Sequence, residues 1–332
     1  MFADRHYFFI IRLALLALVP NAHAIKTISI VGSINADTFL HVQRIPVEGE
    51  NLTCDREPTV DVAGGKGCTQ AIAASKLVHD KDVIRVAFGC RFGNDPVAKA
   101  LQQVLGSAHL DLSASKSVLT VASGRGYVFL TASGKVSAVV SGGSNQYGWS
   151  DWKESWDMYK QNPAVKLTVD DEIKQILDEC QCLMLQREIP EYVNELLAAK
   201  ARERGNIIVL QDVGGEDRPM TSEHMRNCDY LIPNETELCR LVASLEGKSM
   251  NEVDTGDVAA LAKQLQLRGA RHILVTQGSR GCTLLTADGD VLTHPAILTD
   301  RVVDETGAGD CFRAGFAVAL LEEKPLNECL FF

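Results

Sequence analysis

The sequence predicts an α/β protein with a mostly parallel central sheet, helices on both faces and a small β-sheet lid. Short apolar runs typical of buried strands alternate with helical patterns over much of the 332 residues, which favours a parallel sheet covered on both sides. Two polar, strand-rich stretches do not follow this alternation, and the second contains serine–glycine turns, which favour antiparallel strands in a separate sheet. Two glycine-rich turns lead directly into helices and mark candidate ligand sites.

The predicted elements follow one another in two alternating series. The first half is predicted to form a strand at 27–34, a helix at 67–79, a strand at 83–88 and a helix at 96–105. The polar stretches run over 39–62 and 118–140, so we expect the lid strands within about 36–62 and 118–140. A polar insert rich in Trp and Lys follows at 144–166. The second half is predicted to form strands at 183–185, 207–210, 230–232 and 272–276, with helices at 190–204 and 258–267.

The composition excludes one class of partner. Lys and Arg total 33 against 43 Asp and Glu, a formal net charge of −10, and there is no basic run. A nucleic-acid-binding face needs positive charge, so we expect small-molecule ligands and no nucleic acid. The ten cysteines are scattered, without the spacing of a zinc site, and a reducing compartment fits them best.

The amino-terminal segment 1–24 differs from the rest of the chain. It has a short basic start, an apolar stretch interrupted only by Arg12, and an Ala22-His-Ala24 ending. This is the shape of a secretory signal peptide, and it is too short and interrupted to predict a membrane span. A mispredicted leader or an uncleaved extension is the competing interpretation.

The most informative motif runs from Asp304 to Asp310 and opens directly into an apolar helical stretch. A glycine-rich turn at a helix N-terminus aims several unpaired N–H groups at one point, where the helix dipole adds positive potential. The amides of Gly307, Ala308 and Gly309 are suited to developing negative charge, while Asp310 takes a proton from an attacking group. A tight connection capped by acidic residues is the alternative.

A second glycine-rich turn, Ala63-Gly-Gly-Lys-Gly67, also begins a helix. It is not a P-loop, because that pattern requires Ser or Thr directly after the lysine. We expect Gly64 and Gly65 to let a polyhydroxy ligand approach the backbone, with Lys66 as a hydrogen-bond donor. A purely structural turn is the alternative.

Polar residues also follow other predicted strands. Asn35 and Asp37 at the end of the first strand suit sugar hydroxyls, unless they only lead into a turn. Asn234 is suited to capping the next helix, and Glu237, one turn later, to holding water around Mg²⁺. A glycine-flanked turn suited to a nucleotide consists of Thr276, Gln277, Gly278, Ser279, Arg280 and Gly281.

The order of these motifs closely resembles that of the ribokinase-like (pfkB-type) sugar kinases. The shared motifs are Gly-Ser-Ile-Asn-Ala-Asp at 32–37, Ala-Gly-Gly-Lys-Gly at 63–67, Pro-Asn-Glu-Thr-Glu at 233–237, Thr-Gln-Gly-Ser-Arg-Gly at 276–281 and Gly-Ala-Gly-Asp at 307–310. Further similar stretches lie at 186–190, 212–215 and 320–325. The resemblance covers the chain from residue 27, with an insertion expected around 150–167, and we therefore take 25–332 as one kinase domain of ribokinase-like fold.

The resemblance implies ATP-dependent phosphorylation of a sugar, with O5 of D-ribose as the expected acceptor. In these kinases the aspartate of the last motif is the general base, here Asp310, and Gly307, Ala308 and Gly309 form the anion hole. The residues implied to bind the sugar are Asn35, Asp37, Gly64, Gly65, Lys66 and Glu188. Those implied to bind ATP are Asn234, residues 276–281 and Gly309. Glu237 is implied in the Mg²⁺ shell, and Asp304 and Thr306 in a monovalent cation site, usually K⁺.

The sequence departs from the family pattern in three places. Thr69 stands where an Asn usually contacts the sugar, and Glu305 replaces the usual Thr between Asp304 and Thr306. Family members also continue beyond the position of Phe332, so we expect a C-terminal helix and loop to be missing.

The sequence leaves alternatives for the acceptor, for catalytic activity and for the cellular compartment. The acceptor is alternatively another sugar or a nucleoside, and a sugar-binding pseudokinase is a further alternative. The resemblance also implies a homodimer through the lid sheets. Use of ATP favours the cytoplasm, with a plastid, or the secretory pathway if the segment 1–24 is a genuine signal, as alternatives.

Overall fold

The computed structural model describes residues 25–134, 136–162, 171–253, 256–297 and 305–331. The strands within these residues are β1 (Lys26–Val31), β2 (Asn35–Val42), β3 (Thr59–Gly64), β4 (Ile84–Gly89), β5 (Arg91–Phe92), β6 (Lys116–Ser117), β7 (Gly124–Thr131), β8 (Val136–Ser141), β9 (Cys182–Arg187), β10 (Ile208–Gly215), β11 (Tyr230–Ile232), β12 (His272–Thr276), β13 (Cys282–Leu285) and β14 (Val291–His294). The helices are α1 (Lys66–Leu77), α2 (Pro96–Ser107), α3 (Ser144–Tyr147), α4 (Ser150–Gln161), α5 (Asp171–Asp178), α6 (Glu191–Arg204), α7 (Ser222–Asn227), α8 (Glu235–Glu246), α9 (Val258–Leu267), α10 (Ala308–Leu321) and α11 (Leu326–Cys329).

The central sheet has eight strands in the order β14-β13-β12-β11-β10-β9-β1-β4. The six strands from β12 to β4 are parallel, and β13 and β14 add an antiparallel edge. From β1 the chain crosses to β4 on one side and later returns to β9 on the other. Ligands in α/β proteins bind where the strand order reverses in this way, so the carboxyl ends of β1 and β9 define the expected crevice.

Local sequence explains where the helices begin and end. Asp95 caps α2 by accepting a hydrogen bond from Ala98 N, and Pro96 occupies the first helical position, where its missing N–H is not needed. Helix α6 ends at Gly205 in the left-handed conformation with φ 74°. Strand β9 is buried along its whole length, as expected for a strand with helices on both faces.

Two apolar clusters cover the two faces of the central sheet. One cluster includes buried residues of α6, α8 and α9, and the other those of α1, α2 and α10. The prediction of helices on both faces of a mostly parallel sheet is therefore confirmed.

The lid is a separate four-stranded sheet in the order β3-β2-β7-β8. Its strands agree with the two predicted stretches, and the hairpins β2–β3 and β7–β8 are antiparallel, as the turns indicated. The prediction of a wholly antiparallel lid is wrong, because β2 pairs with β7 in parallel. Both strands leave the central domain in the same direction, so the two hairpins join side by side through their first strands.

The sequence pattern predicted a polar insert in the tryptophan-rich segment, and the structure differs from this prediction. Over its described part, 144–162, it forms α3 and α4, and Trp149, Trp152 and Trp156 are 1–4% exposed within the core of one sheet face. The Arg91 guanidinium lies 3.7 Å from the ring centre of Trp149. Polar and charged residues together dominate the composition of this segment, but the tryptophans determine which side of it is buried.

Some predictions concern residues outside the described ranges. They are the leader at 1–24, Asp304 and the end of the insert at 163–167. Within the described part of the chain, every helix is too short or too polar to cross a membrane. All ten cysteines are free thiols, and eight of them are buried.

We predict that Trp152→Ala lowers the free energy of unfolding by about 3–5 kcal/mol, the usual cost of removing a buried aromatic side chain. Denaturant unfolding followed by circular dichroism measures this change. The control is Met158→Ala on the same helix, where the side chain is 57% exposed and the expected change is within about 0.5 kcal/mol. Equal effects of the two substitutions would contradict the placement of the segment in the core.

Candidate active site

Helix α1 begins at the carboxyl end of β1 and brings Lys66 into the crevice. Gly65 precedes the helix with φ 87°, a conformation that residues with a side chain rarely adopt. A Cβ atom on Gly67 would lie 2.7 Å from the backbone nitrogen of Ser33, so the helix packs directly on the chain that leaves β1. The second glycine-rich turn thus has both a structural role and a place at the crevice.

Asp310 lies in the first turn of α10, opposite Lys66. Gly307 precedes the helix in the left-handed conformation with φ 75°, and Asp310 is only 9% exposed. Its Oδ1 atom lies 3.9 Å from Lys66 Nζ and accepts a hydrogen bond of 3.0 Å from Gln70 Nε2. Burial raises the pKa of Asp310, Lys66 opposes this shift and Asp212 adds to it. A carboxylate with a raised pKa is a stronger base than an ordinary one.

Asp212, at the end of β10, connects the two helices. It is 2% exposed, and its Oδ2 atom accepts a hydrogen bond of 2.9 Å from Gln70 Nε2 and lies 3.5 Å from Lys66 Nζ. Its Oδ1 atom lies 3.0 Å from Arg313 Nη2. Burial opposes the charge on Lys66, but Asp212 and Asp310 outweigh it and raise the lysine pKa above its usual value.

Sequence reasoning assigned no role to Gln70, Asp212 or Arg313. The helical repeat could have indicated two of them. Gln70 follows Lys66 by four residues and Arg313 follows Asp310 by three, so in each pair the two side chains lie on the same face of a helix. Asp212 lies in one of the stretches that resembled the family, but nothing local indicates that its carboxylate meets Lys66. The orientation of the Gln70 amide is fixed by Gln186 Nε2, which donates a hydrogen bond of 2.8 Å to Gln70 Oε1.

The predicted sugar-binding residues surround a polar cleft under the lid. Asp37 lies against two glycines, since a Cβ atom on Gly64 or Gly126 would be 1.9 or 2.2 Å from its carboxylate oxygens. Asp37 Oδ1 is buried and has no hydrogen bond of good geometry to a described residue, although the backbone N–H of Gly126 is close enough to oppose the rise of the Asp37 pKa. Burial, followed by the charge of Glu188, raises the pKa of Asp37 to about 6. This oxygen is therefore an acceptor left for a ligand.

Glu188 closes the same cleft from the end of β9. Its Oε2 atom accepts a hydrogen bond of 2.6 Å from Ser33 Oγ and one of 2.9 Å from the backbone N–H of Lys66. These contacts fix the carboxylate between the ends of β1 and β9, at the reversal of strand order. The structure therefore brings Asp37, Lys66 and Glu188 to one cleft.

Asn35 is held by a residue that sequence reasoning missed, Asn145 of α3. Both side chains are at most 2% exposed, and Asn145 Nδ2 donates a hydrogen bond of 2.8 Å to Asn35 Oδ1. Asn145 also accepts a hydrogen bond from Ile34 N and donates one to Ile34 O, at 2.9 and 3.0 Å. Asn145, at the start of the tryptophan-rich segment, thus holds Asn35 in position beside the cleft.

A second cavity, of about 310 Å³, lies on the other side of the first turn of α10. Ala308 and Gly309 line it from the helix, and Thr276, Gly278 and Gly281 from the predicted nucleotide turn. The rest of its lining is mostly apolar: Cys282, His294, Pro295, Ala296, Ile297, Phe312, Leu330 and Phe331. A mostly apolar cavity that ends at a helix N-terminus suits a base at one end and phosphates at the other.

Other residues of the predicted nucleotide turn do not line this cavity. Ser279 lies in the short 3₁₀-helix outside its lining. The side chains of Gln277 and Arg280 bind Glu235 at the start of α8. Three residues of the predicted nucleotide turn therefore line the cavity, and the side chains of Gln277, Ser279 and Arg280 do not.

Asn234 and Glu237 form a capping box at the start of α8. Glu237 N donates a hydrogen bond of 2.8 Å to Asn234 Oδ1, and Asn234 N donates one of 2.8 Å to Glu237 Oε2. The capping interpretation of Asn234 is therefore confirmed, and contact with ATP stays a prediction. The other oxygen of Glu237, Oε1, would lie 2.8 Å from a Cβ atom on Gly214, which places it at the crevice.

Two of the three predicted metal residues, Glu237 and Thr306, lie within the described ranges. No cluster of three or more Asp, Glu, His or Cys side chains fit to hold a metal occurs in the part of the chain described. One carboxylate oxygen at the crevice nevertheless fits Mg²⁺, which keeps several waters and binds through few carboxylates together with phosphates. Thr306 lies at the turn before α10, whereas Asp304 lies outside the described residues. Glu305 is exposed, and the methyl carbon of Thr69 packs near Gly307.

Comparison with known proteins agrees with this arrangement. The family model for the pfkB family carbohydrate kinases matches residues 26–332. The chain is 34% identical to ribokinase of Arabidopsis thaliana over 94% of this chain and 75% of that protein. It is 26% identical to ribokinase of Haemophilus influenzae over 92% of this chain and 89% of that protein.

A solved structure has the same fold. The structure of Arabidopsis thaliana ribokinase complexed with ribose and ATP superimposes with a TM-score of 0.75 at 31% identity, over 92% of this chain and 89% of that chain. The family match spans nearly all of the described residues, including both glycine-rich turns and the cleft between them. The chain belongs to the pfkB family of carbohydrate kinases.

Proposed function

We propose that this kinase transfers the γ-phosphoryl group of ATP to O5 of D-ribose. The observation that carries the proposal is the position of Asp310. Its carboxylate lies between the polar cleft under the lid and the mostly apolar cavity beside the nucleotide turn, within 3.9 Å of Lys66. The known complex of the Arabidopsis relative with ribose and ATP supports the assignment of the two ligands.

Ribose is proposed to bind in the polar cleft. The free oxygen of Asp37 accepts hydrogen bonds from its hydroxyls, and Asn35, Glu188 and Lys66 contribute further polar contacts. Gly64 and Gly65 leave room for the sugar to approach the backbone. The lid covers this cleft and limits the access of water, which would otherwise compete as the phosphoryl acceptor.

Transfer begins when Asp310 accepts the proton of the O5 hydroxyl. O5 then forms a bond to the γ-phosphorus, while the bond from that phosphorus to the bridging oxygen breaks and ADP leaves with the electron pair. The backbone amides of Gly307 and Gly309 and the dipole of α10 stabilise the negative charge on the transferred group. The amide of Ala308, the third predicted donor, donates a hydrogen bond of 3.2 Å to the carbonyl oxygen of Glu305 and would have to exchange this partner for the phosphoryl group. Most of the catalysis is positioning and charge stabilisation, as is usual for phosphoryl transfer.

ATP and ions complete the proposed site. ATP is assigned to the cavity beside Gly278, Gly281 and Gly309, with Asn234 and the rest of the turn at 276–281 near its phosphates. Glu237 is the residue proposed to hold the water shell of Mg²⁺, which neutralises phosphate charge when bound. A K⁺ site at Asp304 and Thr306 is proposed from the family resemblance alone.

We also propose that two copies associate through their lid sheets. Tyr127 and Val139 lie directly opposite each other on β7 and β8 and are 42% and 63% exposed. Gly126, the preceding residue of β7, contacts Asp37, so Tyr127 and Val139 lie on the face turned away from the sugar cleft. A cytoplasmic location is proposed because the reaction needs ATP and the buried thiols need reducing conditions.

Asp310→Asn is expected to lower kcat for ribose by about 10²–10⁴-fold, because it removes the general base. The KM for ribose should change little, since the sugar hydroxyls are held mainly by other residues. A coupled assay of ADP release measures both constants. The control is Asp82→Asn, the same change at an exposed position.

The same assay separates the alternatives for the acceptor. Ribose, deoxyribose, fructose and a nucleoside are compared by kcat/KM, and turnover of ribose no faster than the others would contradict the choice of ribose. Ribose binding without turnover, measured by calorimetry, would indicate a pseudokinase. Full activity of Asp310→Asn would contradict the role of this residue as base.

We expect kcat/KM for ribose to fall about tenfold per pH unit below about pH 6. Asp37 accepts hydrogen bonds from the sugar only above its pKa, which is raised to about 6. Asp37→Asn should raise the KM for ribose about ten- to a hundredfold, as for a lost hydrogen bond to a charged group. In this variant the KM should no longer rise as the pH falls below about 6. If the KM of the variant still rises at acidic pH, a group other than Asp37 causes this rise.

Val139→Asp is expected to convert a dimer into a monomer, because it places a charge in an apolar contact. Light scattering after size-exclusion chromatography measures the mass. Leu267→Asp, which makes the same kind of change at a site 78% exposed on α9, should leave the dimer intact. A monomeric wild-type protein would contradict the proposed association.

A further inference from the structure

Arg313 is a buried cation that neither the motifs nor the proposed reaction uses. It lies one turn after Asp310 on α10 and is 4% exposed. Long side chains on a helix run toward its N-terminus, and Arg313 follows this rule. A Cβ atom on Gly309 would lie 2.6 Å from Arg313 Nη1. The guanidinium therefore lies beside the backbone of the anion hole, and a residue larger than glycine at 309 would collide with it.

The rest of the guanidinium is fixed in place. Nε and Nη2 donate hydrogen bonds of 3.3 and 2.9 Å to the carbonyl oxygen of Ile232, at the end of β11. Nη2 also lies 3.0 Å from Asp212 Oδ1 and 3.6 Å from Glu237 Oε2. By contrast, Nη1 donates no hydrogen bond to any described residue. Two nitrogens of the group anchor it, and the third is left as a donor beside Gly309.

The position of this donor relates it to both ligand sites. Gly309 lines the mostly apolar cavity assigned to ATP, while Asp212, the partner of Arg313, is 3.5 Å from Lys66 on the sugar side. Lys66 and Arg313 thus place two positive charges on the two oxygens of one carboxylate, that of Asp212, close to the backbone of Gly309.

We propose that Arg313 is a further catalytic residue, whose Nη1 donates a hydrogen bond to an oxygen of the phosphoryl group during transfer. The inference rests on the proposed function. A planar guanidinium is well suited to phosphate oxygens and stays charged at all working pH values. An arginine supplied within the same chain stabilises the transferred charge in other phosphoryl-transfer enzymes. Because its other nitrogens are anchored, Arg313 needs no rearrangement to act.

Arg313→Met tests the proposal through a transition-state analogue. Wild-type protein, ribose, ADP and aluminium fluoride should form a tight complex in which the fluoride species stands in for the transferred group. We expect Arg313→Met to weaken this complex by about 10²-fold or more and to lower kcat by about 10²–10³-fold, the range for loss of one such donor. The affinity for ADP alone should stay within about threefold, since ADP lacks the transferred group. Calorimetry measures both affinities.

Three further variants make the result specific. Arg313→Lys keeps the positive charge but lacks the planar, forked guanidinium group. It should therefore recover only part of kcat. The double variant Asp212→Asn with Arg313→Met leaves no unpaired buried carboxylate, so it keeps the test usable if the single variant does not fold; it should still lose affinity for the analogue. Arg240→Met is the matched control, because this arginine lies on α8 with a side chain 43% exposed, and it should behave like the wild type.

The possible outcomes are distinguishable. Equal loss of affinity for ADP and for the analogue complex would show that Arg313 only supports the fold, and an unchanged analogue affinity would show that it does not touch the transferred group. Either result overturns the Arg313 proposal and leaves ribose phosphorylation by the wild type standing. A wild type that neither phosphorylates ribose nor forms the analogue complex would overturn the proposed function and the inference with it.

Discussion

The site depends on one buried carboxylate, Asp212. A buried charge is costly unless it is paired and hydrogen-bonded. Asp212 accepts a hydrogen bond of 2.7 Å from the backbone N–H of Gly214, but its charged partners come from α1 and α10. Lys66 and Gln70 reach it from α1, and Arg313 reaches it from α10. Neutralising this group therefore adds to the apolar packing that holds the two helices together. Asp310, which shares the Gln70 amide with Asp212, is oriented as a consequence.

The first turn of α10 divides the crevice into two chemically different halves. On the sugar side lie the charged side chains of Asp37, Lys66 and Glu188, and Asp37 retains a buried oxygen without a hydrogen bond of good geometry. On the other side the cavity is mostly apolar and ends at the backbone of Ala308 and Gly309. This difference in polarity supports the proposed assignment of a polyhydroxy ligand to one side and a heterocyclic base to the other. Asp310, the proposed base, belongs to this first turn, and burial raises the pKa of its carboxyl group.

Local patterns predicted much of the fold. The alternation of strands and helices, the two glycine-rich turns and the capping box of Asn234 and Glu237 depend on residues close together in the chain, and they could be recognised without a structure. The parallel pairing of β2 with β7 could not, because it joins two separate hairpins. The burial of Trp152 was also missed, since average polarity conceals a narrow apolar side of a helix.

The sequence by itself determined the fold class, the family resemblance and the residues at the two helix starts, because each of these is written in short contiguous motifs. Only the tertiary structure decided which charges meet. Gln70 lies 142 residues from Asp212 and 240 residues from Asp310, and Arg313 becomes a partner of Asp212 only when β10 lies next to β11. Electrostatic interactions depend on distances in space, and chain folding sets those distances.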